Sequence, residues 1–271
     1  MFCYFITLIL LKIPPKRTEN QTWIFFTLES PQHIYGRYKE KQWNIAFNLT
    51  WSYRQDSDIF TPYGKFSKRL TYKEKNYTEI FEQKSNDVAW VVSNCFAHSK
   101  RMRYVQMMKK YIDVDIFGRC GKFCSLSGDN CIKNLSRNYK FYLSFENSLC
   151  EDYVTEKAFR LYKDDFNIVP VIRGAPNVKG ILPKATFIST SDFKSPKELA
   201  LYLSDVALNK TKSLTYIKAK DRYVTYADID LLERGACSLC ENLNSDNKRK
   251  GVVNLSQWAL KKRCVSPTDI T

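Results

Sequence analysis

The chain has 271 residues, of which 44% are hydrophobic and 14% aromatic. This composition supplies enough apolar surface for the core of one large domain or two smaller ones, and it excludes a disordered chain. The formal net charge of +15 favours a polyanionic partner such as nucleic acid, an acidic membrane or a phosphorylated small molecule. A solvated basic surface with no such partner explains the charge equally well.

The first third of the chain reads as short strands separated by polar segments. Residues 2–11 are apolar but too few to span a membrane, which takes about twenty residues. They fit a remnant of a signal anchor, an unusual signal sequence or a first core strand. Aromatic and β-branched runs then predict strands at 22–28, 44–52 and 58–60, whereas the charged stretch 65–86 predicts a loop or an exposed helix.

From residue 88 onwards the predicted elements alternate. Buried strands are predicted at 88–92 and 114–117, on either side of a helix over 100–111 whose apolar residues recur every third position. A loop rich in glycine and cysteine follows as far as Cys131. Strands are then predicted at 140–145, 168–172 and 186–189, with a helix over 154–162 between the first two.

A last helix is predicted from Pro196 to about Val206, because Ser195 is a good N-cap and proline suits the first helical position. Strands that alternate with helices predict a parallel α/β fold, with a nucleotide at the carboxyl ends of the strands in the second half. No G-x-G-x-x-G or P-loop pattern occurs, so neither a standard dinucleotide fold nor an NTPase is indicated.

The nine cysteines pose a choice between zinc and disulfides. Only Cys237 and Cys240 have the C-x-x-C spacing typical of zinc sites, and both histidines, His33 and His98, lie far from them. Zinc is therefore disfavoured.

Asn-x-Ser/Thr sequons are more frequent than the roughly two that chance predicts. Their excess suggests a glycosylated lumenal or extracellular protein, in which the cysteines read as disulfides with the odd one free or paired elsewhere. That setting disfavours a nucleic-acid partner, so the basic charge points to phosphates of small molecules or to membrane. The six candidate glycosylation sites are Asn20, Asn48, Asn76, Asn134, Asn209 and Asn254.

The densest polar cluster lies at 145–157, between a hydrophobic strand and an amphipathic segment. A strand end that leads into a helix start is a natural phosphate site, because free backbone amides face the ligand. Lys157 can neutralise a pyrophosphate, and Glu156 can accept hydrogen bonds from sugar hydroxyls. An ordinary capping cluster with a solvated Glu–Lys pair explains the same residues.

This stretch, FYLSFENSLCEDYVTEKAF, resembles the signature of the α1,3-fucosyltransferases of glycosyltransferase family 10. The loop over 118–131 (GRCGKFCSLSGDNC), together with SNC and NSLC, is most similar to invertebrate-type members. Collinear matches run from about Pro14 to Trp258: FFTLESPQHI, FNLTWSYRQDSDIFTPYG, WVVSNC, VPVIRGA, LPKATFI and DFKSPKELALYL. The resemblance implies transfer of fucose from GDP-fucose to a GlcNAc hydroxyl of a glycan in protein glycosylation. It also implies a Golgi membrane enzyme whose catalytic part is lumenal.

The family implies a GT-B architecture, in which two Rossmann-like domains face each other across a cleft and the C-terminal one holds GDP-fucose. Glu29 of the ESP triplet matches the proposed general base, which deprotonates the acceptor hydroxyl in an inverting transfer. Such enzymes need no metal, and no D-x-D triplet occurs. The positions that match donor-binding residues are Ser93, Asn94, Arg101, Asn147, Tyr153, Glu156 and Lys157.

Each assignment has a purely structural alternative. Glu29 could be an ordinary strand-end carboxylate, and Arg101 a surface residue in the basic run 100–103. If the roles hold, Arg101 and Lys157 stabilise the charge on the departing GDP. The family also implies disulfide bonding near the C-terminus, which makes Cys237 and Cys240 the disulfide candidates.

The predicted organisation has four parts: an apolar segment (1–13), a partial acceptor-side domain (14–85), the GDP-fucose-binding domain (86–240) and a tail that packs back or is flexible (241–271). Family members carry an anchor, a stem and further strands before the segment that contains Glu29, so we expect the N-terminal domain to be incomplete. Membrane association would then come from an N-terminal anchor in the full-length form.

Two departures from the family pattern stand near the donor motif, Lys163 of the KDDF run and Arg173, where more apolar or smaller residues are expected. An alternative function is that of a truncated, non-catalytic relative that binds the GDP-sugar. A secreted lectin-like glycoprotein would explain the sequons and cysteines but leaves the ordered donor motif unexplained.

Overall fold

The computed structural model describes residues 16–18, 21–34, 41–71, 75–124, 128–227, 229–244, 253–260 and 263–270. They fall into two compact units, one formed by 1–61 with 233–263 and the other by 62–232 with 264–271. The predicted apolar segment at 1–13 lies outside the described residues. Among the helices that are described, none is long and apolar enough to cross a membrane.

A parallel three-stranded sheet forms the centre of the first unit, in the order β1 (Ile24–Thr27), β2 (Leu49–Ser52) and β3 (Ile59–Phe60). A 3-10 turn at Pro31–His33 and the single-turn helix α1 (Lys41–Asn44) lie between β1 and β2. The strands predicted from the aromatic and β-branched runs are thereby confirmed.

Aromatic rings fill the core beside this sheet. Phe25 of β1 meets Phe47 edge to face, with ring centroids 5.3 Å apart, and Trp43 stacks on Phe47 at 6.1 Å. Helix α1 ends at Asn44, and the buried Phe47 lies in the segment that follows it. The strand predicted from residue 44 therefore begins only at Leu49.

The second unit alternates strands and helices along most of its length. Its elements in chain order are β4 (Gly64–Lys68), α2 (Tyr77–Glu82), β5 (Asn86–Val91), α3 (Arg101–Met108), β6 (Val114–Phe117), α4 (Gly128–Asn138), β7 (Tyr139–Phe145), α5 (Glu156–Phe159), a 3-10 turn (Arg160–Tyr162), β8 (Val169–Arg173), two 3-10 turns (Val178–Gly180 and Thr190–Asp192) on either side of β9 (Ile188–Ser189), α6 (Pro196–Leu208), α7 (Lys210–Lys220) and β10 (Tyr223–Ala227).

Five of these strands form a parallel sheet in the order β6-β5-β7-β8-β9. Helices cover both faces, because successive side chains of a strand point to opposite sides. Val88 and Trp90 of β5 join a core with Tyr104 of α3 and Leu203 of α6, whereas Ala89 packs with α4. The predicted parallel α/β architecture is confirmed in this unit.

The strand order fixes where a ligand can bind. The first strand of this sheet, β5, has β6 on one side and β7 on the other, so the loops after β5 and β7 leave in opposite directions. In open α/β sheets this switch point opens a crevice at the carboxyl ends of the two strands. The segments that follow β5 and β7 are those predicted to bind the donor.

The antiparallel pair of β4 and β10 was not predicted from the sequence. Strand β4 lies within the stretch interpreted as loop or exposed helix, and its partner lies more than 150 positions away in the chain. Strand β4 also lies close to Phe159 of α5, which explains why position 64 is a glycine: a Cβ on Gly64 would lie 2.4 Å from the Phe159 ring. This pair belongs to the second unit, which begins at Pro62.

The C-terminal region is divided between the two units. Helix α8 (Ile229–Asn244) joins the first unit from Glu233 onwards. There Leu239 packs against Trp51, and a Cβ on Gly235 would lie 2.4 Å from the Thr61 hydroxyl. Residues 264–270 belong to the second unit instead.

Candidate functional site

The candidate site lies at the carboxyl ends of β5 and β7. Ser93 and Asn94 follow β5 and are exposed, as a ligand contact requires. Glu146 and Asn147 follow β7; Glu146 is buried, and Asn147 is half-buried. The Asn147 side-chain oxygen is buried and accepts no hydrogen bond from the described residues.

Arg101 joins the two strand ends. Its guanidinium donates to the carbonyl oxygen of Phe145, at the end of β7, and to that of Asn94, at 3.1 Å, after β5. It also lies over the Trp90 ring at 5.8 Å and is only 5% exposed. Burial lowers the pKa of Arg101, although the nearby Glu146 carboxylate opposes this change. The structure therefore places Arg101 inside the site, as a brace between β5 and β7.

Lys157 lies in the first turn of α5, beside two carboxylates. Its ammonium is 3.0 Å from Glu146 and 3.2 Å from Glu156, and it donates to the Thr155 hydroxyl at 2.6 Å. The side chain nevertheless stays 29% exposed. Burial alone would lower the pKa of Lys157, but the two carboxylates outweigh it and the pKa is raised. Lys157 is thus a permanent cation with access to solvent.

Glu156 stays ionised because neighbouring cations stabilise its carboxylate. Burial alone would raise the pKa of this carboxyl, but Lys157 and Arg160 outweigh burial and hold the pKa below its usual range. Arg160 lies 3.3 Å from the same carboxylate, one helical turn on. Since α5 has only four residues, these side-chain charges dominate the electrostatics here more than a helix dipole would.

Tyr153 completes the set of predicted donor residues. It is 3% exposed, its backbone amide donates to the Cys150 carbonyl at 3.1 Å, and its ring edge meets Tyr63 at 6.3 Å. The second unit thus brings Arg101, Tyr153, Glu156 and Lys157 to one edge of its sheet, together with the segments after β5 and β7.

Glu29 belongs to the first unit. It follows β1 and is exposed, and its backbone amide donates to the Thr27 hydroxyl oxygen at 3.1 Å. It lines a shallow pocket together with Ser52, Arg54 and Trp258. An exposed carboxylate in a pocket has the accessibility that a general base needs.

Sequence reasoning missed several residues that hold the site together. Glu146 and Thr155 were overlooked, although both lie inside the motif, and a charged residue directly after a buried strand is a detectable signal. The departure at Arg173 has a partner that no local pattern reveals: its guanidinium pairs with Asp269 (Nη2 to Oδ1, 2.9 Å) and lies 4.3 Å over the Tyr104 ring.

The disulfides correct the sequence prediction. Cys237 and Cys240 are free and exposed thiols within α8, where the regular helix fixes both Cβ directions and a bridge would need backbone movement. The cysteines that do pair have Cα atoms 3.9 to 6.1 Å apart, and all but Cys131 of α4 lie outside helices: Cys95–Cys120, Cys124–Cys131 and Cys150–Cys264. Cys95 follows Asn94 directly, and Cys150 lies within the polar cluster.

The sequons differ in accessibility. Asn48 is half-buried and its side-chain oxygen accepts hydrogen bonds from Trp23 and Arg17, while Asn20 lies outside the described residues. The other four asparagines are exposed, and their glycosylation stays a prediction: Asn76, Asn134, Asn209 and Asn254.

Two family profiles match nearly the whole chain. "Glycosyltransferase family 10 (fucosyltransferase) C-term" covers residues 81–258, and "Fucosyltransferase, N-terminal" covers residues 6–64. The chain belongs to glycosyltransferase family 10. The resemblance that the donor motif and its collinear segments carry is therefore confirmed.

Curated fucosyltransferases are similar over most of this family 10 chain. 4-Galactosyl-N-acetylglucosaminide 3-alpha-L-fucosyltransferase FUT5 of Homo sapiens is 37% identical over 254 residues, which is 90% of the chain and 63% of that protein. 3-Galactosyl-N-acetylglucosaminide 4-alpha-L-fucosyltransferase FUT3 of Homo sapiens is 37% identical over 260 residues, 91% of the chain and 66% of that protein. The chain spans about two thirds of the length of such relatives.

A solved structure supports the fold. The crystal structure of an alpha1,3-fucosyltransferase with GDP-fucose superposes with a TM-score of 0.59 at 18% identity, over 86% of this chain and 78% of that one. At this identity the likeness speaks for the fold alone. The predicted fold class, α/β of the GT-B type, is confirmed.

Proposed function

We propose that this protein transfers fucose from GDP-fucose to a GlcNAc hydroxyl of a glycan, with inversion at the anomeric carbon. The observation that carries the proposal is Lys157, a partly exposed cation held beside two carboxylates at the switch point of a parallel sheet. A nucleoside diphosphate is the ligand class that such an edge binds, and the family matches name fucosyltransferases.

In this proposal the donor lies along the carboxyl ends of β5 and β7. Lys157 binds the diphosphate as a point charge, and the exposed Ser93 and Asn94 contact the nucleotide or sugar. Glu156 accepts hydrogen bonds from the fucose hydroxyls, since its lowered pKa keeps it ionised. Arg101 acts mainly through its charge, because two of its donor groups already bond to main-chain carbonyls.

The chemical step requires one base and a stabilised leaving group. Glu29 takes the proton of the acceptor hydroxyl as that oxygen attacks the anomeric carbon. The bond to the diphosphate breaks on the opposite side, and the negative charge that grows on GDP is stabilised by Lys157 and Arg101. No metal cofactor is required in this scheme, because the two side chains supply the positive charge.

We further propose that the protein acts on glycoprotein or glycolipid glycans in the Golgi lumen and associates with the membrane through an N-terminal anchor in its full-length form. Three disulfides and the excess of sequons support an oxidising, lumenal compartment. The names of the relatives support an N-acetylglucosamine-containing acceptor.

The test is an assay of the purified chain with GDP-fucose and a panel of acceptors: an N-glycan core, a type 2 lactosamine and free GlcNAc. We expect release of GDP only when an acceptor is present, and a product in which mass spectrometry and linkage analysis find an α1,3-linked fucose. Binding of GDP-fucose without turnover on any acceptor would contradict the transferase proposal and leave a donor-binding relative.

A further inference from the structure

Glu146 is the most firmly held charged residue at the candidate site. It follows β7 directly and is 1% exposed. Its backbone amide donates to the Arg173 carbonyl at 2.7 Å, and its backbone carbonyl accepts from the Ser99 hydroxyl at 2.7 Å. The position of Glu146 is therefore fixed relative to the ends of β7 and β8 and the segment before α3.

The direction of its side chain is restricted as well. A Cβ on Gly174 would lie 2.9 Å from the Glu146 Cγ, which is closer than real Cβ contacts come. Only glycine at this position leaves room for the carboxylate to pass towards the segment that leads into α5.

Both carboxylate oxygens of Glu146 serve that segment. Oε1 accepts from the Thr155 amide and from the Thr155 hydroxyl, each at 2.8 Å. Oε2 lies 3.0 Å from the Thr155 hydroxyl and 3.0 Å from the Lys157 ammonium. The Lys157 ammonium in turn donates to the same hydroxyl at 2.6 Å. Glu146, Thr155 and Lys157 thus form one closed network.

We propose that Glu146 is a positioning residue for donor binding, which fixes the Lys157 ammonium where it meets the diphosphate. This inference rests on the proposed function, in which Lys157 binds that diphosphate. A residue that only fastened the start of α5 would need one oxygen, for the Thr155 amide. The second oxygen of Glu146 instead reaches Lys157, a cation with access to solvent.

Charge and geometry make opposite predictions for the loss of this carboxylate. If only net charge mattered, removing a negative group beside Lys157 would strengthen binding of the negatively charged diphosphate. If geometry matters more, the amide of Glu146→Gln has one oxygen where the carboxylate has two, so its NH2 faces either the Thr155 amide or the Lys157 ammonium, and both of these are donors. Either arrangement breaks the network that holds Lys157, and the diphosphate binds more weakly.

The experiment titrates GDP and, separately, guanosine into the full chain by calorimetry, with the variants Glu146→Gln and Glu146→Asp. The aspartate keeps the charge but is one methylene shorter, so it cannot reach both Thr155 and Lys157. We expect both variants to bind GDP about tenfold more weakly and guanosine as the wild type does. Retained guanosine binding also shows that the variants are folded.

A matched control is Asp205→Asn. Asp205 is an exposed residue of α6 whose carboxylate pairs with the Lys212 ammonium at 2.6 Å. This variant should leave both affinities unchanged. GDP binding that is unchanged or tighter in Glu146→Gln would overturn the inference, as would an equal loss of GDP and guanosine. A wild-type chain that does not bind GDP at all would instead refute the proposed function, so the two failures are distinguishable.

Discussion

Lysines lie at both edges of the five-stranded sheet, where its strands begin (the amino edge) and where they end (the carboxyl edge), but they are held in different ways. At the amino edge, the Lys220 ammonium donates to the carbonyl oxygens of Leu161, Phe166 and Ile168, and the Lys84 ammonium to those of Ser136 and Tyr139. At the carboxyl edge, Lys157 lies between two carboxylates and remains 29% exposed.

The electrostatics of the two edges differ accordingly. Burial lowers the pKa of both Lys84 and Lys220 to about 7. Lys157 is also buried in part, but Glu146 and Glu156 outweigh this effect and raise its pKa. An ammonium whose donors are used by main-chain carbonyls serves the fold, whereas one held by side-chain carboxylates and open to solvent can serve a ligand.

The largest effect that we expect concerns the first unit, where Glu29 is exposed and its side chain bonds to no other element among the described residues. Glu29→Gln should lower kcat by about 1,000-fold, equivalent to about 4 kcal/mol, because the acceptor hydroxyl loses its base. The Kd for GDP-fucose should stay unchanged. Single-turnover kinetics and calorimetry measure the two quantities.

The control for Glu29 is Glu241→Gln, a second exposed carboxylate of the same unit. It should leave kcat unchanged. A Glu29→Gln enzyme with wild-type kcat would remove Glu29 as the base.

The next effect concerns the carboxyl edge itself. Lys157→Ala should raise the KM for GDP-fucose about 100-fold, equivalent to about 2.7 kcal/mol, while the KM for the acceptor changes little. Lys163→Ala, which removes an exposed lysine paired with Asp129, is the matched control and should behave as the wild type. Equal KM values for both variants would contradict a diphosphate role for Lys157.

At the amino edge the expected effect is on stability. Lys220→Met keeps a long unbranched side chain but leaves three buried carbonyls without their donor, so the free energy of unfolding should fall by about 2 kcal/mol. Denaturant titration measures this loss, and the Kd for GDP-fucose of the folded fraction should not change. A Lys220→Met variant that is as stable as the wild type but binds the donor more weakly would contradict a structural role for Lys220.

The smallest effect is expected on α8. Because Cys237 and Cys240 are exposed and unbonded, replacing both by serine should change the free energy of unfolding by less than about 0.5 kcal/mol. Cys264→Ser breaks a bridge that spans 114 residues and should cost about 4 kcal/mol. Thermal melts compare the two, and equal losses would show that the α8 thiols are bonded.

The sequence predicted the sheet better than the contacts of the site. Strands β5, β7 and β8 were predicted because continuous apolar runs are typical of strands buried on both faces, and α6 because Ser195 caps it as expected (amide of Glu198 to Ser195 Oγ, 3.2 Å). The pairs that join distant segments could not be predicted from local patterns, such as β4 with β10 and Arg173 with Asp269.

The same limit applies to the candidate site. The motif supplied Lys157 and Glu156, but not the closed network through Glu146 and Thr155. Those bonds depend on how the end of β7 meets the start of α5 in three dimensions, and on the space that Gly174 leaves. The family resemblance likewise pointed to Cys237 and Cys240, whereas the fold brings other cysteines together.

Titration of GDP-fucose into the wild type, Lys157→Ala and Lys220→Met at neutral pH, with melting temperatures recorded for the same samples, separates the two edges most directly. We predict a Kd about 100-fold higher for Lys157→Ala, and for Lys220→Met a lower melting temperature with the Kd of the wild type. Wild-type donor affinity in Lys157→Ala would contradict the assignment of the carboxyl edge as the donor site.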